Sequence, residues 1–246
     1  MSHREQPVED EIAAARLRFI VEWHEELEST NTFLSDRMRG DAALPEGFVI
    51  AARAQTAGRG RGARAWLATP GENLTFSILL RPNADAQKLA SLPMVAALAI
   101  ADVLEGIGVA PVLKWPNDVL AGREKICGIL QEVLGNGAVI LGIGLNVNMT
   151  ADTAAQIDQP ATSLRIATGR SFDLHPVLGD VLAAFAIRYP AWKHDGFAAI
   201  RSDWERRAQP RGEQVSRGVI AGYGESGELL IRNFDGSVSA VWSDTP

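Results

Sequence analysis

Residues 112–148 read VLKWPNDVLAGREKICGILQEVLGNGAVILGIGLNVN, β-prone apolar runs separated by turns of a few residues. Turns this short join strands that pair as hairpins, so the stretch predicts a β-meander: VLKW, then VL, a turn at AGRE, KICGILQEVL, a GNG turn and AVILGIGLNVN. A chain with this at its centre is not built from regularly alternating βαβ units. Further strands are expected over 17–23, 48–55 and 73–80. A short helix is expected over 32–39, between the cap-forming Ser29, Thr30 and Asn31 and the stop at Gly40. Residues 85–107 read as helix, broken or restarted near Pro93, and two more helices are expected near 174–191 and 196–206. The expected class is α+β: a mixed β-sheet with helices packed on one side. From Arg211 onward, GVIAGY, ELLIRNF and SVSAVW alternate with Gly-rich turns, which predicts a separate small β-barrel. The chain is accordingly divided into a body, 1–207, and a small domain, 208–246.

Charge and composition exclude several roles. The 24 basic and 30 acidic side chains leave a net charge of −6, which argues against a protein that coats nucleic acid. Cys127 is the only cysteine, so no intrachain disulfide forms and a reducing compartment is expected. The opening MSHREQPVEDE has no basic or apolar leader region. The most apolar run, LASLPMVAALAIADVLEGIGV, is interrupted by Pro93, Asp102 and Glu105, and reads as a core helix rather than a bilayer span. A cytoplasmic protein without membrane contact is expected. His3, His24, His175 and His194 show no metal-ligand spacing.

Against this acidic background, residues 58–66 read GRGRGARAW, with Arg59, Arg61 and Arg64 among three glycines. The loop is not a dinucleotide fingerprint, because Pro70-Gly71 and a strand follow where a helix would have to start. It lacks the Lys-Ser/Thr ending of a phosphate-binding Walker loop. Either an anion comes very close to this backbone, or the loop is merely a solvated surface turn.

Two further motifs bear on that choice: KWPND at 114–118, and Lys125-x-x-Gly128-Ile-Leu-x-Glu132. With ESTN at 28–31, AQTAGRGR at 54–61, Trp66 and GIGLNVN at 142–148, they resemble the biotin protein ligases from about residue 17 to the C-terminus. The resemblance implies a mixed sheet flanked by helices, related to class II aminoacyl-tRNA synthetases, followed by a C-terminal Src-homology-3-like barrel. It implies that biotin is activated with ATP and Mg²⁺, then passed to a lysine of a biotin carboxyl carrier protein. A lipoate or octanoate ligase of the same fold is the alternative. The 27 residues before the ESTN motif are fewer than a DNA-binding domain needs, so a monofunctional enzyme without nucleic-acid binding is expected, and a homodimer is compatible with it.

By the same resemblance, Ser29, Thr30, Asn31 and Gln55 supply neutral hydrogen bonds to the biotin ring, and Gly58, Gly60 and Gly128 allow close backbone approach. Arg59 faces the biotin carboxylate, Arg61 and Arg64 face phosphate, and Lys125 bridges the two anions. Trp66 covers adenine, while Asn117 and Asn146 contact the nucleotide. Asp118 either accepts the proton of the incoming lysine or only builds the turn and pairs with Lys114. Helix capping also accounts for Ser29, Thr30 and Asn31, and an aromatic anchor or strand-end role for Trp66 and Asn146. One departure stands out: Gly62 comes a place early in the loop, and Ala63 occupies the usual glycine site, implying a shifted conformation near Arg64.

Overall fold

The computed structural model describes residues 17–62 and 64–242, so the polar N-terminal stretch and Ala63 lie outside the described residues. The chain opens with β1 (Ile20–Leu27), helix α1 (Thr30–Gly40), β2 (Phe48–Gln55) and β3 (Asn73–Leu80). Helix α2 (Leu92–Ile107) leads into the meander β4 (Pro111–Lys114), β5 (Asp118–Ala121), β6 (Glu124–Val133) and β7 (Val139–Asn146). Helices α3 (Leu174–Asp195) and α4 (Arg201–Arg207) precede β8 (Gln214–Val215), β9 (Gly218–Tyr223), β10 (Leu229–Asn233) and β11 (Val238–Val241).

The seven-stranded sheet has the order β1-β2-β3-β7-β6-β5-β4. Only β1 and β2 run parallel; the other neighbours are antiparallel. The expected strand over 17–23 starts later, at Ile20, and runs to Leu27, because it follows β2 residue for residue from Ile20–Phe48 to Leu27–Gln55. Its sequence, IVEWHEEL, hides this, since an edge strand keeps polar residues on its open side.

Alternation along the central strands separates two faces. Leu74, Phe76, Ile78 and Leu80 of β3, with Leu141, Ile143 and Leu145 of β7, pack with α2 and α3 in the main core. Leu79 and Ile140 point the other way, against Leu34 and Met38 of α1. Helices therefore cover both faces, which corrects the one-sided packing expected from the sequence. The helical stretch Ala86–Ile107, of which α2 is the larger part, is long and apolar enough by length and composition to cross a membrane, but α2 is largely buried inside the protein. It ends at Gly108, whose φ of 92° suits the left-handed cap.

Two polar ties fix the helical layer. Arg188 of α3 donates to Asp102 of α2 and Asp203 of α4, and Arg207 donates to Glu105 and Asp102. Glu46 accepts from the Tyr189 hydroxyl, the Arg81 N–H and Lys193. The C-terminal sheet, of order β11-β10-β9-β8, is antiparallel. Its Ile220, Tyr223, Leu229 and Ile231 join the main core rather than forming one of their own. The Trp115 indole locks the junction by donating to the Gly227 carbonyl at 3.0 Å.

Candidate active site

On the α1 face, beyond the N-terminus of α1, β3 and β7 form the floor of a cleft open to solvent. Thr75 and Ser77 stand opposite Gly144 and Gly142 there. A Cβ at Gly142 would come within 2.2 Å of Asn31 Oδ1, and one at Gly144 within 2.3 Å of the Trp66 indole. These two glycines let side chains from elsewhere lie directly on the sheet.

The inner end of the cleft is neutral and rich in hydrogen-bonding groups. Ser29 caps α1, which places Thr30 and Asn31 in its first turn, both buried. The Thr30 N–H donates to Gln55 Oε1 at 2.7 Å, leaving the Gln55 amide –NH₂ as a donor. Ser77 Oγ lies 2.7 Å from Thr30 Oγ1 and 2.6 Å from Asn31 Oδ1, and Asn31 Nδ2 donates to Glu132 Oε2 at 2.7 Å.

The other end is charged. Lys125 Nζ lies 2.7 Å from Asp118 Oδ1, with the two side chains 14% and 15% exposed. In a regular strand Lys125 and Gly128 would point to opposite faces. A bulge between β5 and β6 pairs Val119 with Cys127 and Leu120 with Lys125, skipping Ile126. That extra residue brings Lys125 and Gly128 onto one face, while Ile126 and Cys127 are both buried in the core. Lys114 stands opposite Asp118 in the β4–β5 ladder but is exposed, so the ion pair seen is with Lys125.

The arginine loop is a tight hairpin: Gly60 N–H donates to the Arg64 carbonyl and Trp66 N–H to the Gly58 carbonyl, both at 2.8 Å. Gly62 takes the left-handed turn with φ 66°. Arg61 Nη1 donates to Asn117 Oδ1 at 3.0 Å, and Asn117 Nδ2 to the Ile129 carbonyl at 2.6 Å. Arg64 is exposed, with Nε on the Arg61 carbonyl. Arg59 lines the cleft, but its guanidinium is turned to Glu132, with Nη2 2.5 Å from Oε1.

Of the residues singled out in the sequence, Ser29, Thr30, Asn31, Gln55, Arg59, Gly60, Arg61, Arg64, Trp66, Asn117, Asp118, Lys125 and Gly128 all line this one cleft. Gly58 and Asn146 do not. Gly58 sits beneath the hairpin, where a Cβ would meet the Trp66 carbonyl at 2.3 Å. Asn146 lines an adjoining recess, with both amide ends engaged, by Asn73 and the Thr162 carbonyl. The Trp66 ring lies over Gly144 with Lys125 Nζ 5.8 Å from its centroid, and its Nε1 has no acceptor among the described residues. Burial pushes the Cys127 thiol well above its ordinary pKa, which rules it out as a nucleophile. Sequence reasoning missed Thr75, Ser77, Gln159, Glu132 and the two floor glycines. Alternation in NLTFSILL already put Thr75 and Ser77 opposite the apolar face; Gln159 lies in a connecting segment without a motif.

Residues 23–149 match the biotin/lipoate A/B protein ligase family. The biotin–[acetyl-CoA-carboxylase] ligase of Paracoccus denitrificans is 37% identical over 201 residues, covering 74% of this chain and 83% of that protein. The bifunctional ligase/repressor BirA of Bacillus subtilis is 34% identical over 228 residues, covering 87% of this chain and 70% of its own length. Among solved structures, the biotin protein ligase from Aquifex aeolicus in complex with biotin and ATP aligns with a TM-score of 0.77 at 30% identity, covering 91% of this chain and 96% of that one.

Proposed function

The chain belongs to the biotin/lipoate A/B protein ligase family, and from that premise we propose that its cleft condenses biotin with ATP and transfers the biotinyl group to a carrier-protein lysine. It is an ATP-dependent biotin–protein ligase, and its partner is a biotin carboxyl carrier protein of the acetyl-CoA carboxylase type. The observation that carries the reading is one cleft with two chemically opposite ends: a neutral hydrogen-bonding pocket and, beside it, Lys125 and the arginine hairpin.

In the first step a biotin carboxylate oxygen attacks the α-phosphorus of ATP and pyrophosphate leaves, giving biotinyl-5′-AMP. Two anions must meet, so cations held in place in advance lower the barrier. We assign Lys125 to the carboxylate and α-phosphate, and Arg61 and Arg64 to phosphate. Thr30, Asn31 and Gln55 are assigned to the ureido ring, and Trp66 to the adenine. Gly58 acts by shaping the hairpin and Asn146 by bracing the floor. Arg59 is assigned to holding the hairpin, in keeping with its pairing to Glu132. In the second step the acceptor amine attacks the acyl carbon, AMP departs and the amine sheds a proton. Asp118 is the carboxylate nearest Lys125 and is assigned to accept that proton.

Mg²⁺ is proposed to arrive on the nucleotide phosphates, because no cluster of three or more His, Cys, Asp or Glu side chains among the described residues is arranged to hold a metal. A cytoplasmic site of action suits the lone buried thiol. Residues 208–246 are proposed as a second unit leaning on the body. An aliphatic acid would leave the Gln55 –NH₂ and the Thr30 hydroxyl oxygen without a ligand partner, which disfavours lipoate or octanoate. The test is pyrophosphate exchange into ATP with Mg²⁺. It should depend on biotin and be absent with lipoate or octanoate; equal exchange with a fatty acid would overturn the substrate.

A further inference from the structure

Glu132 has no part in the chemistry above, and it stands behind the cleft rather than lining it. Two cleft residues nevertheless converge on its carboxylate. Arg59 Nη2 lies 2.5 Å from Oε1 and Nη1 3.4 Å from Oε2, while Asn31 Nδ2 donates to Oε2 at 2.7 Å. The side chain is only 28% exposed, so the pair with Arg59 is partly shielded from water.

Two consequences follow from that one charge. A carboxylate accepts and cannot donate, so the Asn31 –NH₂ must face it and Asn31 Oδ1 must face Ser77. Ser77 Oγ is the donor towards both Asn31 Oδ1 at 2.6 Å and Thr30 Oγ1 at 2.7 Å, so its single proton is held between two acceptors. Thr30 is left with its oxygen lone pairs for a ligand N–H, and Gln55 with its –NH₂ for a ligand carbonyl. The orientation of the Asn31 amide, with Oδ1 towards Ser77 and –NH₂ towards Glu132, is thus set from outside the pocket. The same carboxylate pins the hairpin to β6 through Arg59, by a charge-assisted contact about twice as strong as a neutral one.

Resting on the biotin-ligase reading of the cleft, we infer that Glu132 is a positioning residue. It anchors the arginine hairpin through Arg59 and fixes the hydrogen-bond polarity of the chain that receives the neutral ring of the substrate. Glu132→Gln keeps the shape and removes the charge. In the ligand-free variant, trypsin should cut after Arg59 about fivefold faster than in the parent, and added salt should raise the parent's rate towards the variant's. Biotin affinity without ATP should weaken about tenfold, while transfer from preformed biotinyl-5′-AMP to the carrier changes by less than about twofold. A role confined to stability would move the melting temperature but not this split. Combined with Arg59→Gln, the loss of biotin affinity should be smaller than the product of the two single losses.

Parent-like cleavage and biotin affinity in Glu132→Gln would overturn the proposal, as would strictly multiplicative losses in the double variant. If Glu132→Gln does not fold, Arg59→Gln decides instead: an affinity equal to the parent's removes the anchor. A parent protein that does not bind biotin would sink the reading of the cleft, yet the trypsin comparison would still decide whether Glu132 holds the hairpin.

Discussion

Lys125 and Asp118 face each other across the β5–β6 hairpin with Nζ 2.7 Å from Oδ1, on the side of the sheet that carries the cleft. The pairing keeps the lysine side chain extended over the floor before any substrate arrives. It also means that each charge has one partner already, so removing either leaves the other partly buried and uncompensated.

Lys125→Ala should therefore reduce adenylate formation about 10²–10³-fold, the usual cost of deleting one transition-state charge contact. Biotin affinity should fall by much less, since the carboxylate's charge changes most in the reaction itself. Calorimetry beside single-turnover adenylation separates the two, and near-normal adenylation would remove Lys125 from the catalytic set.

The floor glycines should be intolerant in distinguishable ways. Gly142→Ala puts a methyl group where Asn31 Oδ1 now lies, and Gly144→Ala puts one into the Trp66 indole. Overpacking of this kind costs about 1–3 kcal/mol, so both variants should stay folded. Gly142→Ala should weaken biotin binding, whereas Gly144→Ala should weaken ATP binding. Titration of each ligand separately checks the division; identical profiles for the two variants would refute it.

The hairpin should act as a cover. Arg61 is tied to Asn117 and Arg59 to Glu132, while Arg64 is exposed, so trypsin should reach Arg64 first in the ligand-free protein. Biotin plus ATP should slow cleavage at all three arginines by adding counter-charge beneath them. Arg61→Gly should release biotinyl-5′-AMP early, seen as biotin attached to bystander lysines. Cleavage rates indifferent to ligand would end the idea.

Acid should loosen the helical layer. Hydrogen bonds from Arg207 hold Glu105 below the usual carboxylate range, and Arg188 does the same for Asp203. For Glu46, burial pushes upward, but the hydrogen bonds from Tyr189, Arg81 and Lys193 outweigh it and leave it lowered. Groups lowered in the folded state stabilise fully above their unfolded pKa, about 4, and lose that contribution as pH falls through the folded value. The urea midpoint should thus be flat from neutrality to about pH 5 and fall steeply below about pH 4. Arg188→Gln should lower the neutral plateau and flatten the acid limb. An unchanged limb would move the acid sensitivity elsewhere.

The meander, the central strands and the long helices were legible because buried apolar alternation has a simple period, as in NLTFSILL. Strand β1 was displaced in the reading because its register is dictated by β2, whose paired residues lie 28 positions away, and not by its own pattern. The cleft was legible wherever a motif carried charge or a cap, since Ser29, Lys125 and the arginines have few other uses at such spacing. Glu132 was in view without a role, because the partners that give it one, Arg59 and Asn31, lie 73 and 101 residues away. Likewise nothing local says that Gly142 and Gly144 must be bare; the reason is the side chains laid across them from α1 and the hairpin.

Cys127 is wholly buried, and its thiol resists ionisation, so alkylating reagents should pass the native protein by. A thiol introduced at the exposed Ala57, beside the base of the hairpin, would then be the one reactive handle on the molecule. A spin label or fluorophore placed there would report the hairpin's motion during turnover without any native residue having first to be replaced.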